Sequence, residues 1–378
     1  MHNKIIMTFV AVLLGLFCNA QNEKVESEIQ NIMKKLDVVG LTIAVVKKDQ
    51  IVYSKAFGYK ELENKIPLQT NHLFRIASIS KSFSATAIMK LVDAGKISLD
   101  ADFGELVGFP IRNPKYPERV ITLKMVLSHT SGINDSEGYF NLDVINPSKN
   151  PDWAKCYNDY APGEGYEYCN LNFNMVGTVL EKISGIRFDN YIRQEILAPL
   201  ELNAGYCVDS LDNSLFATLY SYDSTNHFAP SPEAYAPRRE QIKNYVMGYS
   251  TPIFSPTGGM KISSHDLARY MMMHMYRGKI KTSGRRLISR KSSKLMQSVI
   301  APEEGYGLAL WNTRKLVSGK LLVGHTGSAY GLYSAMFFDP KKKFGFIVIT
   351  NGCNPVETAG TNQVLHSTIN TLYSHFIR

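Results

Sequence analysis

The chain is poor in the features that would assign it to several common classes. It contains no Cys-x-x-Cys and no His-Glu-x-x-His, so the usual thiolate and imidazole frameworks for a metal are missing, and no cofactor is expected. Beyond the first twenty residues no run is long and apolar enough to span a bilayer. There is no internal repeat and no low-complexity segment, which removes solenoids and disordered tails. The net charge of +9 is spread along the chain. Its one cluster, Lys341-Lys342-Lys343, follows Asp339-Pro340 and precedes a strand-like run, so it reads as a solvated hairpin turn and no nucleic-acid partner is expected. Cysteines are few: Cys18, Cys156, Cys169, Cys207 and Cys353.

What is present begins with a leader. Lys4 gives a positive start, Ile5 to Phe17 an apolar run too short for a comfortable membrane span, and Cys18-Asn19-Ala20 a small-residue end. Residues 1–20 are therefore expected to be a signal peptide cut after Ala20, and the mature chain to be periplasmic or secreted. Lipid attachment at Cys18 is the lesser alternative, because bulky Phe17 precedes it. Four cysteines then remain. A Cys156–Cys169 bridge and buried free thiols both fit an exported domain of this size.

Hydrophobic residues make up 44% of the full 378-residue chain, enough for the mature part, residues 21–378, to bury a sizeable core. A short amphipathic helix is expected over 26–36. LTIAVVKK and QIVYSKAFGY, either side of Asp49, read as a β-hairpin. From Ser78 to Ala94, residues Phe83, Ala87, Ile88, Leu91 and Val92 fall on one helical face, with Gly95 as the stop. FNMVGTVLEKIS, FDNYIRQEIL and SSHDLARYMMMHMY are further helical patches, the last capped by Ser263 or Ser264. YGLALWN, KLLVGHT, LYSAMFFD and FGFIVITN are strand-like, and an amphipathic helix closes the chain at about 360–376. Strands at both ends with helices between them predict an α/β fold: one sheet built from about 24–75 and 300–378, with a mainly helical region of about 76–299 inserted.

The chemistry concentrates in RIASISKSFSATAIMKL. Positions i and i+3 of a helix share a face, so Ser78 and Lys81 point into the same space. The helix start adds partial positive charge and free N–H groups, and burial disfavours an ammonium. A neutral lysine there can take the proton of the serine and make it a nucleophile.

Two further stretches sharpen this reading. PGEGYEYCNLNFNMVG sets Tyr168-Cys169-Asn170 between a Pro-Gly turn and a helix. KLLVGHTGSAYGLYSAMFF sets His325-Thr326-Gly327 at a strand end. Serine and lysine, then tyrosine and asparagine, then a Thr-Gly strand end, in that order, resemble the serine β-lactamase-related superfamily, most closely its class C-like branch. That branch includes class C β-lactamases, D-aminopeptidases, DD-peptidase-like proteins, esterases and some acyltransferases. The stretches LFRIASISKSFSATAIMKLVDAGKISLD, VLSHTSGI and FSPTGGMKISSHDLARYM extend the resemblance over essentially the whole mature chain.

The resemblance implies a β-lactamase/transpeptidase-like fold with an antiparallel sheet flanked by helices. Ser78 would be the acylated nucleophile, Lys81 its proton partner, and Tyr168 a phenol that shuttles the proton, with a pKa lowered enough to act as a base. Asn170 would hold the lysine and the substrate, and backbone N–H groups of Ser78 and Ser328 would bind the oxyanion. His325, Thr326 and Gly327 would form the strand against which substrate lies. Tyr139-x-Asn141 is a rival Tyr-x-Asn, but it lacks the Pro-Gly turn and the following helix.

One position departs from the pattern. β-Lactamases and most penicillin-binding proteins carry lysine where this chain has His325. A histidine of ordinary pKa is mostly neutral at pH 7, so recognition of a substrate carboxylate there is weakened. His129 reads as structural. Tyr206, Tyr220, Tyr222, Phe228, Tyr235, Tyr245 and Tyr249 lie in the irregular stretch 203–257. They either line a cleft for a bulky apolar acceptor or pack as loop residues. The expected function is a secreted hydrolase of a small amide or ester. Acyl transfer to an alcohol or amine, and a penicillin-binding or sensory module that never turns over, are the alternatives.

Overall fold

A computed structural model of the protein describes residues 21–223, 225 and 227–378. The expected leader, residues 1–20, lies outside them.

Seven strands make one antiparallel sheet: β1 (Gly40–Lys47), β2 (Gln50–Glu61), β3 (Ile66–Pro67), β4 (Trp311–Thr313), β5 (Leu322–Ala329), β6 (Leu332–Asp339) and β7 (Phe344–Gly352). The spatial order is β3-β2-β1-β7-β6-β5-β4, so the two ends of the chain meet in the middle. β1 pairs with β7 along its whole length, from Gly40 opposite Gly352 to Lys47 opposite Phe344.

Successive side chains of a strand point to opposite faces. On one face Leu41, Ile43 and Val45 of β1 and Phe344, Phe346 and Val348 of β7 pack against helix α1 (21–35) and the C-terminal helix α5 (Gln363–Phe376). On the other, Ala44, Val46, Ile347 and Ile349 join the larger core with helices α2 (Ser80–Asp93), α3 (Asn170–Ser184) and α4 (Ser264–Met275). Both faces are covered, which is why β1, but for Lys47, and β7 are buried along their length and mostly apolar rather than alternating. Among the described residues no helix is long and apolar enough to cross a membrane.

The hairpin of β1 and β2 turns at Lys48-Asp49, with Lys48 at φ +58°. At the lysine run, Asp339 Oδ1 accepts from the main-chain N of Lys341 (2.7 Å) and of Lys342 (2.8 Å), closing the β6–β7 turn. Ser263 caps α4 through the N–H of Asp266. The expected strand YGLALWN shrinks to β4. Gly305 and Ala309 both adopt positive φ, and these turns leave only bridges at Tyr306 ahead of a three-residue strand. FDNYIRQEIL is helical but relaxes into a π-turn over Arg193–Leu197. The four cysteines are free, buried thiols, so no Cys156–Cys169 bridge forms.

Candidate active site

Ser78 sits on a one-turn 3-10 segment, Ala77–Ile79, that runs directly into α2. Ala77 has φ +48°, the left-handed region an alanine rarely enters. Three contacts hold this turn. Ile76 N donates to Met260 O (2.9 Å), Ser334 Oγ donates to Ile76 O (3.0 Å), and Ser80 Oγ accepts from Met260 N (3.0 Å). Gly327 of β5 lies so close that a Cβ there would stand 2.2 Å from Ile76 O. β4 covers β5 only as far as Gly324, so beyond it the edge of β5 is left to face the nucleophile turn.

Lys81 is fully buried beneath Ser78. Its Nζ lies 3.1 Å from Ser78 Oγ, 2.8 Å from Asn170 Oδ1 and 3.1 Å from Thr257 O. Burial brings its pKa down to about 7, while Asp135 and Cys169 act the other way. The geometry shows what the neutral amine does. Asn170 Oδ1 and the Thr257 carbonyl only accept, so they take the two N–H groups of the neutral amine. Its lone pair is left for the Ser78 hydroxyl.

The amide of Asn170 is itself set by Asp135. Asp135 Oδ2 accepts from Asn170 N (2.8 Å) and Nδ2 (2.9 Å), and Oδ1 accepts from Leu171 N (2.9 Å) and the Cys169 thiol (3.2 Å). One carboxylate thus satisfies the first free N–H groups of α3 and fixes which side of the amide faces Lys81. Thr257 Oγ adds a donor to Asn170 Oδ1 (2.8 Å).

Tyr168 lies over this pair, its ring 4.6 Å from Lys81 Nζ. Its pKa is not lowered as expected. Burial pushes it well up, and the interaction of its hydroxyl with Ser78 only partly opposes this. The expected lowering needed a cationic neighbour, and the same burial disfavours the charged form of Lys81. Burial therefore keeps the phenol protonated at neutral pH. His129 packs against the Tyr168 ring at 4.4 Å and accepts from Cys169 N (3.1 Å). It is fully buried with a pKa well below its usual range.

Ser78, Tyr168, Asn170 and Ser328 line one cleft of about 480 Å³. Its other walls include Tyr139, Phe140, Thr257 and Tyr330, so the rival tyrosine is a wall residue, while Asn141 caps a short turn at Asp143. His325, Thr326 and Gly327 do not line it. His325 is 5% exposed; its Nδ1–H donates to Thr326 O, and its Nε2 accepts from Tyr306 OH at 2.9 Å. Burial and the nearby Lys81 bring its pKa down to about 4, so it is neutral at pH 7. None of the seven aromatics of 203–257 lines this cleft. Tyr206 and Tyr220 are core residues, and Tyr235 donates to Ala217 O (2.8 Å).

Asp135, Thr257 and Tyr306 are site residues that sequence reasoning missed. Asp135 follows the Thr-Ser-Gly turn of VLSHTSGI by three positions, and Thr257 sits in FSPTGG, both beside stretches that drew attention for other reasons. Tyr306 was hidden in a run that reads as a strand.

A serine whose hydroxyl lies 3.1 Å from the amine of a fully buried lysine, at the entry of a helix packed against an antiparallel sheet, places the protein among the serine hydrolases. Comparison with known proteins narrows the class: a model of the Beta-lactamase family matches residues 25–368, and the chain belongs to that family. It is 23% identical over 347 residues to protein flp of Staphylococcus aureus (strain N315), covering 88% of this chain and 64% of that protein. The chain thus spans under two thirds of the length of these curated relatives. A solved octameric penicillin-binding protein homologue from Pyrococcus abyssi is similar with TM-score 0.73 and 27% identity, over 93% of this chain and 76% of that one. The D-amino acid amidase from Ochrobactrum anthropi SV3 also gives TM-score 0.73, at 21% identity over 94% and 98% of the two chains.

Proposed function

We propose that the protein is an exported hydrolase that forms an acyl-enzyme on Ser78 and acts on a small amide or ester. The observation that carries this reading is the 3.1 Å contact between Ser78 Oγ and a fully buried Lys81 whose pKa lies near 7. At neutral pH a large fraction of the molecules hold Lys81 as a free amine with its lone pair on the serine proton. Export is supported by the leader alone.

In acylation, Lys81 takes the Oγ proton as Ser78 attacks the carbonyl carbon. N–H groups of Ser78 and Ser328 receive the developing oxyanion. The proton then reaches the leaving amine or alcohol through the Tyr168 phenol, which gives its own proton outward as Lys81 replaces it. Water, activated by the same pair, releases the acid. The D-amino acid amidase has an amide substrate by its name, which supports including amides here.

A fluorescent acylating ester should label the wild-type protein and not Ser78→Ala, with the adduct mapping to Ser78 by mass spectrometry. A chase should then release the label. Label that persists identifies a trap, the penicillin-binding or sensory alternative. Release that speeds up with added alcohols, with ester formed as product, identifies an acyltransferase. Equal labelling of Ser78→Ala overturns the reading.

A further inference from the structure

The cleft at Ser78 does not end at Tyr330. It continues into a second hollow of about 330 Å³, and the two share Arg75, Phe140, Ser255 and Tyr330. The far wall of the second hollow carries Arg238, Gln241 and Glu233. One elongated site therefore runs from the nucleophile, past Arg75, to Arg238.

Arg75 is unusual in this position. It is 5% exposed, its guanidinium lies 4.8 Å from the Tyr330 ring centre, and its Nε and Nη1 donate to the carbonyls of Gly258 (3.1 Å) and Ala234 (3.3 Å). Both acceptors are neutral. Among the described residues no carboxylate lies within ion-pair distance of Arg75 or Arg238. Asp209 is occupied by Arg239 Nε (3.2 Å) and by the main-chain N of Arg238 (2.7 Å). Arg238 has Gln241 Oε1 at 3.0 Å. Glu233 is exposed on the rim. Lys261, opposite Arg75 on the short paired strands Phe74–Arg75 and Lys261–Ile262, lines neither hollow: it is buried, its Nζ donates to Tyr206 O (2.6 Å), and burial followed by the charges of Arg75 and Arg238 depresses its pKa.

A buried guanidinium without a counter-ion is costly, and a desolvated Arg–carboxylate contact is among the stronger polar interactions available. Nε and Nη1 of Arg75 each hold a carbonyl, and its guanidinium also hydrogen-bonds Tyr330. All three partners are uncharged, and the N–H groups left on Arg75, together with Arg238, match the planar oxygens of a carboxylate. His325, neutral and turned to Tyr306, offers no cation at the strand end.

We propose that the arm of the cleft between Arg75 and Arg238 is a carboxylate subsite, so that the substrate acted on at Ser78 is an acid rather than a neutral ester or amide. The second half of this proposal rests on the acyl-enzyme reading; the subsite itself does not.

Two measurements separate them. In the first, Ser78→Ala protein is titrated by calorimetry with p-nitrophenyl hemiglutarate and with neutral p-nitrophenyl valerate. The hemiglutarate should bind about tenfold more tightly at low salt, lose that advantage as salt rises, and lose it in Ser78→Ala/Arg238→Glu. In the second, kcat/KM of the wild type is compared for the same pair and for 3-carboxyphenyl valerate against phenyl valerate, which puts the charge on the leaving side. At least one carboxylate ester should be preferred about tenfold. Arg238→Glu, at a partly exposed position, should cut that preference about tenfold or more, and Arg75→Gln should do the same where it folds. Neutral esters turned over with no carboxylate preference in either pair, and no effect of Arg238→Glu on the ratios or on binding, overturn the subsite and leave the Ser78 reading standing. Salt-sensitive, Arg238-dependent binding without any acylation leaves the subsite standing and overturns the reading of Ser78.

Discussion

Asp135 decides which way the amide of Asn170 points. With its Oδ2 taking both the main-chain N–H and the Nδ2–H of Asn170, only Oδ1 is left to face Lys81. The same carboxylate is the largest influence holding the pKa of Lys81 up against burial.

Asp135→Asn should therefore do two separable things. The Asn170 amide loses its fixed orientation, and kcat should fall by about 10²-fold for a misplacement of this kind. The pKa of Lys81 should drop further once the opposing charge is gone, moving the acid limb of the kcat/KM profile to lower pH. A profile measured from pH 5 to 9 checks both. A limb that stays put or moves up shows that Asp135 acts only as a helix cap.

Lys81 predicts the pH dependence of both rate and stability. Activity of the free enzyme should rise with pH through about 7 as the amine loses its proton. In the unfolded chain a lysine titrates near 10.5, so between about 7 and 10.5 the unfolded state binds more protons than the folded one. Stability from this group therefore increases as pH rises through that window. Urea melts at pH 6, 8 and 9.5 should show the wild type gaining on Lys81→Met by up to a few kcal/mol.

Tyr168→Phe removes the phenol with little change in volume. Because burial keeps that phenol protonated, its loss should leave the acid limb in place while slowing acylation and deacylation by about 10²–10⁴-fold. Combined with Lys81→Ala, the losses should be far from additive, since the two pass one proton. Single-turnover rates across pH for the two single mutants and the double decide it. A limb that disappears in Tyr168→Phe places the base on the tyrosine.

Gly327→Ala tests the fit of β5 against the nucleophile turn. Its Cβ would meet Ile76 O at 2.2 Å and Ser334 Oγ at 2.5 Å, so the strand must move. Overpacking of this kind costs about 1–3 kcal/mol, and displacing the neighbouring Ser328 N–H should lower kcat beyond what the stability loss explains. Urea midpoints and burst rates measured on one preparation separate the two effects.

The sheet and the helices that carry the site were legible because each is periodic. Alternation or continuous burial marked β1, β2 and β5 to β7, and the i, i+3 spacing put Ser78 over Lys81. What could not be read was set by contacts distant in sequence. Asp135 reaches across thirty-five residues to the start of α3, and Thr257 brings its carbonyl to Lys81 from 176 residues away. Local pattern carries no trace of either. The lowered tyrosine pKa failed for a related reason, since burial reflects the assembled core and not the neighbours in the chain. The aromatics of 203–257 left both readings open, because a stretch rich in Tyr looks the same whether it lines a hollow or fills one.

The central pairing of β1 with β7 joins residues some three hundred positions apart, and the nucleophile turn leans on β5 and β6 from the same late segment. During synthesis the chain produces Ser78 and Lys81 early, but the strands that shape their turn come late. Until then β1 has an open edge and Lys81 stands in water with the proton affinity of any lysine. On the proposed reading, the reactivity of the serine is a property of the finished chain. Such long-range closure is slow, and a polypeptide cut short before residue 322 carries the whole Ser-x-x-Lys motif with no means of activating it.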